Sequence, residues 1–287
     1  MRNFLSVFLL IIVIVLIPVH HADGNRFNSH AIILESPDKD NLVSNGSLIL
    51  KGKTLNKNLF VCIKTPDREM VVYPVKLQEG SFDEEFPIPF GQGEYTVWMD
   101  NNERHFNGFV NFSITNNFAG NRFLSSSYYI DSNNPTIKSK SQEIIGDSVD
   151  TPISDREKVI KIHDWIARNI TYDSNFNFNE PAPNFASDIL KNEKGICRDY
   201  SFLFAALVRC QNIPTKVVYG NANTAEQSFY HAWNEVYIDG EWLTVDTTFD
   251  AGYTKNGKFY FNYKDRYLFP DESMIRATYF NKTVKPY

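Results

Sequence analysis

Two kinds of hydrophobic spacing divide the chain. Between residues 27 and 115 the apolar positions fall in runs of β-forming residues: Ala31–Glu35, Ser47–Lys51, Leu59–Lys64, Met70–Leu77, Phe82–Ile88, Glu94–Met99 and Phe109–Thr115. Asn45-Gly46, Thr65-Pro66-Asp67, Glu79-Gly80 and Asn101-Asn102 separate them. Short strands with turn signals at this spacing predict an antiparallel sandwich of immunoglobulin-like type. No cluster of reactive side chains falls in this region. A binding or spacer module and a domain that only packs on its neighbour are both open readings, because a fold does not define a function.

Residues 116–134 form a polar connector rich in Asn and Ser, and the second domain spans 135–287. Its period is helical. Thr136–Ile145 is a weak helix, and Ser154-Asp155-Arg156-Glu157 is a capping box that opens a stronger one. Val159, Ile162, His163, Ile166 and Ile170 follow at steps of three and four, which makes one apolar face. His163 lies on that face and reads as a core histidine satisfied by a nearby acceptor. Ala186–Lys191 is a short helix stopped by Gly195. The helix that starts at Cys197 carries Phe202, Leu203, Ala205, Ala206 and Val208, is apolar on many sides and is therefore a buried, central element ended by Pro214. Lys216–Tyr219, Phe229–Ile238 and Glu241–Thr247 read as strands. Helices followed by an antiparallel sheet make this domain α+β.

Asp239-Gly240 between two alternating runs predicts a two-residue type I′ hairpin. Such a turn pairs Ile238 with Glu241 and sets Asp246 opposite Trp233 and His231 opposite Thr248. All four then share one face of the sheet. His231 and Asp246 become diagonal neighbours, roughly 5–7 Å apart at Cβ. A three-residue loop would turn Asp246 to the other face, so this reading depends on the turn. Trp233, beside the pair, is placed to shield it from water.

The N-terminus, the net charge and the cysteines narrow the reading further. Met1-Arg2-Asn3 followed by the apolar Phe4–Val19 is a secretory pattern, so residues 1–22 are a signal peptide or an uncleaved N-terminal anchor, and the folded part is extracytoplasmic. Membrane contact is then limited to that segment. A net charge of −5 leaves no electrostatic footprint for nucleic acid. The chain holds 3 cysteines, too few for a disulfide-built scaffold. Cys62 sits in a strand-like core run, and Cys210 lies about 20 Å along the helix from Cys197, too far to bridge it. Cys197 is left as a free thiol at a loop-to-helix junction.

There the positive end of the helix dipole and a nearby imidazolium would favour the thiolate. Cys197, His231 and Asp246 are the parts of a nucleophile, an acid/base and its orienting carboxylate. The free N–H groups at the helix start, including that of Cys197, are natural oxyanion donors. No second Cys or His stands at zinc-ligand spacing, so neither metal nor cofactor is expected.

The segments Glu157-Lys158, His163-Asp164-Trp165-Ile166 and Asn169-Ile170-Thr171-Tyr172-Asp173 continue into Gly195-Ile196-Cys197-Arg198-Asp199-Tyr200 and Ile213-Pro214-Thr215. They are followed by His231-Ala232-Trp233-Asn234-Glu235-Val236 and Trp242-Leu243-Thr244-Val245-Asp246-Thr247-Thr248-Phe249-Asp250. In this order they resemble the transglutaminase-like superfamily, particularly its exported bacterial members, over roughly residues 128–280. The resemblance implies a papain-like α+β core with Cys197 as nucleophile, His231 as acid/base and Asp246 as orienter. Family members include protein cross-linking transglutaminases, amidases, proteases and inactive homologues. Relatives use a second oxyanion donor on an upstream residue, for which Tyr172 is the candidate, either in that role or as pocket wall. The implied partner is a protein or peptide amide at the cell surface or cell wall, with hydrolysis and transamidation both open. A non-catalytic surface protein using the same fold as a scaffold is the competing reading.

Overall fold

A computed structural model describes residues 28–29, 31–38, 41–107, 110–146, 152–177, 184–224 and 227–287; the N-terminal apolar segment, residues 1–22, lies outside them. Among the described residues no helix is long and apolar enough to cross a membrane. The chain divides into two compact units. One contains the described residues up to Val43 with Ile49–Glu85 and Glu94–Thr115; the other contains Ser44–Leu48, Phe86–Gly93 and Asn116–Tyr287.

The N-terminal region is all-β. Its strands are β1 (Asn28–Ser29), β2 (Ile32–Ser36), β3 (Leu42–Ser44), β4 (Ser47–Thr54), β5 (Phe60–Lys64), β6 (Met70–Pro74), β7 (Ser81–Pro87), β8 (Gly93–Asp100) and β9 (Val110–Asn116). They form a four-stranded sheet in the order β1-β2-β4-β7 and a five-stranded sheet in the order β3-β9-β8-β5-β6. Period-two alternation decides which face is buried: along β4, Leu48, Leu50, Gly52 and Thr54 are buried while Ile49, Lys51 and Lys53 are exposed. Each fully buried Leu, Ile or Phe contributes about 1.5–3 kcal/mol of transfer free energy, which is what holds the register.

In the second unit α1 (Pro135–Ile145) is followed by α2 (Asp155–Asn169). The predicted capping box of α2 is formed: Glu157 N–H donates to Ser154 Oγ at 3.2 Å and Ser154 N–H to Glu157 Oε2 at 3.0 Å. Its buried residues are Val159, Ile162, His163, Ile166 and Ala167, the face that the three- and four-residue spacing predicts. Next come β10 (Thr171–Tyr172), α3 (Ala186–Asn192), β11 (Lys194–Gly195) and α4 (Cys197–Arg209). α4 is buried on every side from Asp199 onward and packs on β12 (Thr215–Asn223) and β13 (Ser228–Ile238). β14 (Glu241–Val245), α5 (Thr247–Ala251), the hairpin β15 (Gly252–Lys255) and β16 (Lys258–Phe261), α6 (Glu272–Thr278) and β17 (Tyr279–Val284) complete the unit. The central sheet runs β14-β13-β12-β17 and all its pairs are antiparallel. This is the expected α+β arrangement, extended by an edge strand from the far end of the chain.

The hairpin has the predicted register, with Ile238 opposite Glu241 and positive φ at Asp239 (53°) and Gly240 (92°), as a type I′ turn requires. The strand read as Glu241–Thr247 is shorter, however. β14 stops at Val245, opposite Asn234, so His231 does not pair with Thr248. Asp246 instead turns out of the sheet to cap α5, because its Oδ1 can satisfy two free helical N–H groups, those of Thr248 and Phe249, each at 3.1 Å.

The polar connector is ordered and packs within the second unit. Tyr128, Tyr129 and Ile130 are buried, Phe123 O accepts from Thr215 N–H at 2.8 Å, and Ser125 O accepts from Arg209 Nη1 at 2.8 Å. The Arg209 guanidinium also donates to Thr215 O and Tyr287 O. Burial, and the neighbouring Arg122 charge, lower its pKa to about 9.

Candidate active site

The site begins where β11 becomes α4. β10 pairs with β11 in parallel, which sets Tyr172 opposite Gly195, two residues before Cys197. Asp199 then folds back on the helix start. Its Oδ2 accepts from Ile196 N–H at 3.0 Å and its Oδ1 from Arg198 Nε at 3.3 Å. Gly195 makes room for this: a Cβ there would stand 2.5 Å from Asp199 Cβ. The local sequence thus fixes the first turn of α4 and presents a half-buried Cys197 at its N-terminus.

β13 supplies His231. Among the described residues no strand pairs with β13 from Trp233 to Ser228 on the β14 side, and α4 packs on both β13 and α5. His231 Nε2 and Asp246 Oδ2 are 2.7 Å apart, both side chains almost wholly buried. Asp246 Oδ2 also accepts from the Tyr279 hydroxyl at 2.9 Å, so its two oxygens receive four hydrogen bonds. Cys197 interacts with the same imidazole by hydrogen bond and by charge. With Nε2 committed to Asp246, Nδ1 is the ring nitrogen left for another partner. Burial opposes a charged imidazole here, but the Asp246 carboxylate and Cys197 outweigh it and raise the pKa of His231 to about 10.

Aromatic rings enclose the pair. Phe249 stacks on His231 at 4.4 Å between centroids, and Trp233 lies nearly parallel to it at 6.1 Å. Trp233 is itself stacked on Tyr279 at 4.5 Å. Trp233 therefore shields the couple from behind, buried, and its Nε1 has no hydrogen-bond partner among the described residues. Tyr172 stands on the Cys197 side, near Tyr200 and Phe259. Burial raises its pKa above the ordinary tyrosine range, and the neighbouring charges of Cys197, Asp199 and Asp173 add to this, so its hydroxyl keeps its proton.

The structure thus brings Cys197, His231 and Asp246 together, with Tyr172 beside the thiol and Trp233 behind the imidazole. Several contributors escape a sequence reading. Tyr279 reaches Asp246 from β17, and no local signal announces it. Phe249 was legible only as part of a motif. His163 is satisfied as expected, by two carboxylates: Nδ1 lies 3.0 Å from Asp164 Oδ1 and Nε2 3.1 Å from Asp250 Oδ2. Burial disfavours its charged form, but its hydrogen bonds to Asp164 and Asp250 prevail and raise its pKa. Asp250 belongs to α5, so His163 ties the helix that carries Phe249 to α2. The thiols of Cys62 and Cys210 are free but unlike Cys197: burial raises their pKa values to about 12 and about 11, and Cys210 Sγ donates to Ser132 O at 3.0 Å.

A thiol at the start of α4 thus meets an imidazole from β13 and the carboxylate that caps α5. Residues 142–247 match the model of the transglutaminase-like superfamily. The chain is 30% identical over 156 residues to kyphoscoliosis peptidase of Mus musculus, a match covering 50% of this chain and 24% of that protein. It thus spans about a quarter of the curated relative. Among solved structures, red sea bream transglutaminase aligns at a TM-score of 0.33 and 12% identity, over 77% of this chain and 51% of that one. The periplasmic domain of TgpA from Pseudomonas aeruginosa aligns at a TM-score of 0.32 and 16% identity, over 80% of this chain and 85% of that one.

Proposed function

We propose that the protein is a cysteine-dependent acyl-transfer enzyme acting on amide bonds. The observation that carries this reading is that one buried imidazole is held by Asp246 at 2.7 Å on Nε2 and interacts with Cys197. Cys197 sulfur attacks the amide carbonyl carbon, and negative charge develops on the carbonyl oxygen. The Cys197 backbone N–H at the start of α4 is the first donor to that oxyanion and the Tyr172 hydroxyl is the candidate second. The protonated His231 gives its proton to the leaving nitrogen as the C–N bond breaks, leaving a thioester on Cys197. Water or an amine then adds to the thioester with His231 as base, which restores the thiol. Asp246 fixes the ring orientation throughout and balances its charge.

The substrate is a protein or peptide amide. The N-terminal segment supports an extracytoplasmic location, and the two β-sheets preceding the domain fit an immunoglobulin-like module that presents it. Trapping tests the reading. Incubating the protein with a glutamine- or peptide-amide donor and quenching in acid yields a thioester on Cys197, detected by mass, that Cys197→Ala cannot form. Equal acylation of Cys197→Ala would overturn it.

A further inference from the structure

The residue after the nucleophile points to what the substrate carries. Arg198 lies in the first turn of α4, largely buried, with Nε on Asp199 Oδ1 and its guanidinium 5.7 Å from the Phe176 ring. Its Nη2 is buried and has no hydrogen-bond partner among the described residues. The Tyr219 hydroxyl, on β12, is in the same condition, and Tyr219 is only 8% exposed. Tyr230 stacks on the Tyr219 ring at 5.9 Å on one side and Tyr287 lies at 6.1 Å on another. Tyr287 approaches the Tyr219 hydroxyl without closing a hydrogen bond of normal geometry. Burial, reinforced by Tyr287, pushes the Tyr219 hydroxyl well above its ordinary range and keeps its proton; the charges of Arg198 and Cys197 are both felt there. Cys197 also acts on the Tyr230 hydroxyl. One guanidinium N–H, on the residue after the nucleophile, and one phenol O–H, on a strand that α4 packs against, therefore stand unpaired.

Folded proteins rarely leave buried donors unmatched, least of all a charged one. Both groups are donors here, so the matching group is an acceptor, and a guanidinium beside a hydroxyl fits a planar carboxylate. Charge selects a monoanion. Asp199 already takes part of the Arg198 charge, so the guanidinium has less than a full positive charge to offer and suits a monoanion better than a dianionic phosphate.

We infer that Arg198 Nη2 and the Tyr219 hydroxyl form a carboxylate-binding subsite beside Cys197, so that the enzyme selects amide substrates bearing a free carboxylate next to the reacting amide. This rests on the acyl-transfer reading of Cys197 and narrows its substrate class to acidic peptides or peptide termini.

Two alkylating reagents of nearly equal size test it. Iodoacetate carries a carboxylate and iodoacetamide a neutral amide; in both the sulfur displaces iodide from the CH2 carbon. The ratio of their rates at Cys197 cancels any change in thiol reactivity common to both. The ratio for the full chain should exceed that for a free thiol such as glutathione. Tyr219→Phe removes one oxygen and keeps the ring, and should lower the ratio several-fold; Arg198→Gln should lower it about tenfold, with Arg198→Lys between, as expected for charge-assisted bonds. A ratio unchanged in Tyr219→Phe and Arg198→Gln overturns the subsite and leaves the acyl-transfer reading standing. A fall with Arg198→Gln but none with Tyr219→Phe also overturns it, since that is long-range charge alone. Failure of Cys197 to react with either reagent overturns the acyl-transfer reading and the subsite with it.

Discussion

Replacing Asp246 with Asn removes a charge and little volume, at a side chain whose two oxygens accept four hydrogen bonds. The amide oxygen of Asn can keep the Thr248 and Phe249 N–H bonds that cap α5. Its NH2 must then face His231 Nε2 and the Tyr279 hydroxyl, and a donor there rejects an N–H on Nε2. The imidazole is left neutral with its proton on Nδ1. In the native protein the pKa of His231 is raised to about 10, against burial, chiefly by Asp246. Without the carboxylate, only Cys197 opposes burial and the pKa falls well below its native value. A fall of only two pH units corresponds to about 2.7 kcal/mol of lost preference for the charged ring. The sign follows from the raised value. Stability from the charged pair is complete below about 6.5 and is lost as pH rises through about 10, and Asp246→Asn removes that alkaline dependence. Turnover at neutral pH should fall by about 10³–10⁴, the usual consequence of losing the orienting carboxylate. Heteronuclear NMR titration of His231 in both proteins measures the effect directly. Titration of His231 at the same pH in both would refute the charge coupling.

Tyr279→Phe removes one donor from Asp246 while keeping the ring stacked on Trp233 at 4.5 Å; a loss of about 1 kcal/mol in urea unfolding is expected. Gly195→Ala forces a Cβ to 2.5 Å from Asp199 Cβ and should cost about 1–3 kcal/mol as an overpacked site, with slower Cys197 alkylation because the helix start must shift. In native protein at pH 8, differential alkylation read by peptide mass should mark Cys197 and spare Cys62 and Cys210, whose pKa values burial holds at about 12 and about 11; labelling of all three at equal rates would contradict the burial described.

The sequence already carried the parts of the site that are set locally. The Asp239-Gly240 turn sets the β13–β14 register, and the capping box and apolar spacing set α2, because each depends on backbone chemistry within a few residues. The end of β14 was misread for a physical reason: Thr247 and Thr248 are β-formers, but Asp246 gains more by capping α5 than by continuing the ladder. The meeting with His231 survives because the cap turns Asp246 back across the open edge of β13. Asn256-Gly257, with φ of 53° and 71°, is a hairpin signal of the same kind and makes β15–β16 legible. Tyr279 and β17 are not legible, since they join the site and the sheet edge across tens of residues with no local pattern to mark the contact. The connector looked loose because of its Asn and Ser content, while Tyr128, Tyr129 and Ile130 were its packing residues.

In the proposed reaction Cys197 forms a thioester from an amide with His231 as proton donor. Rapid acid quench of the protein with a carboxylate-bearing peptide amide, followed by intact and peptide mass spectrometry, would capture it. The native protein should give an adduct on Cys197 equal to the acyl group and released amine or ammonia in equal amount, with both lost in Cys197→Ser and His231→Gln. Amine release at the native rate from Cys197→Ser, or no adduct and no release from the native protein across such peptides, would contradict it and leave the domain as a binding scaffold.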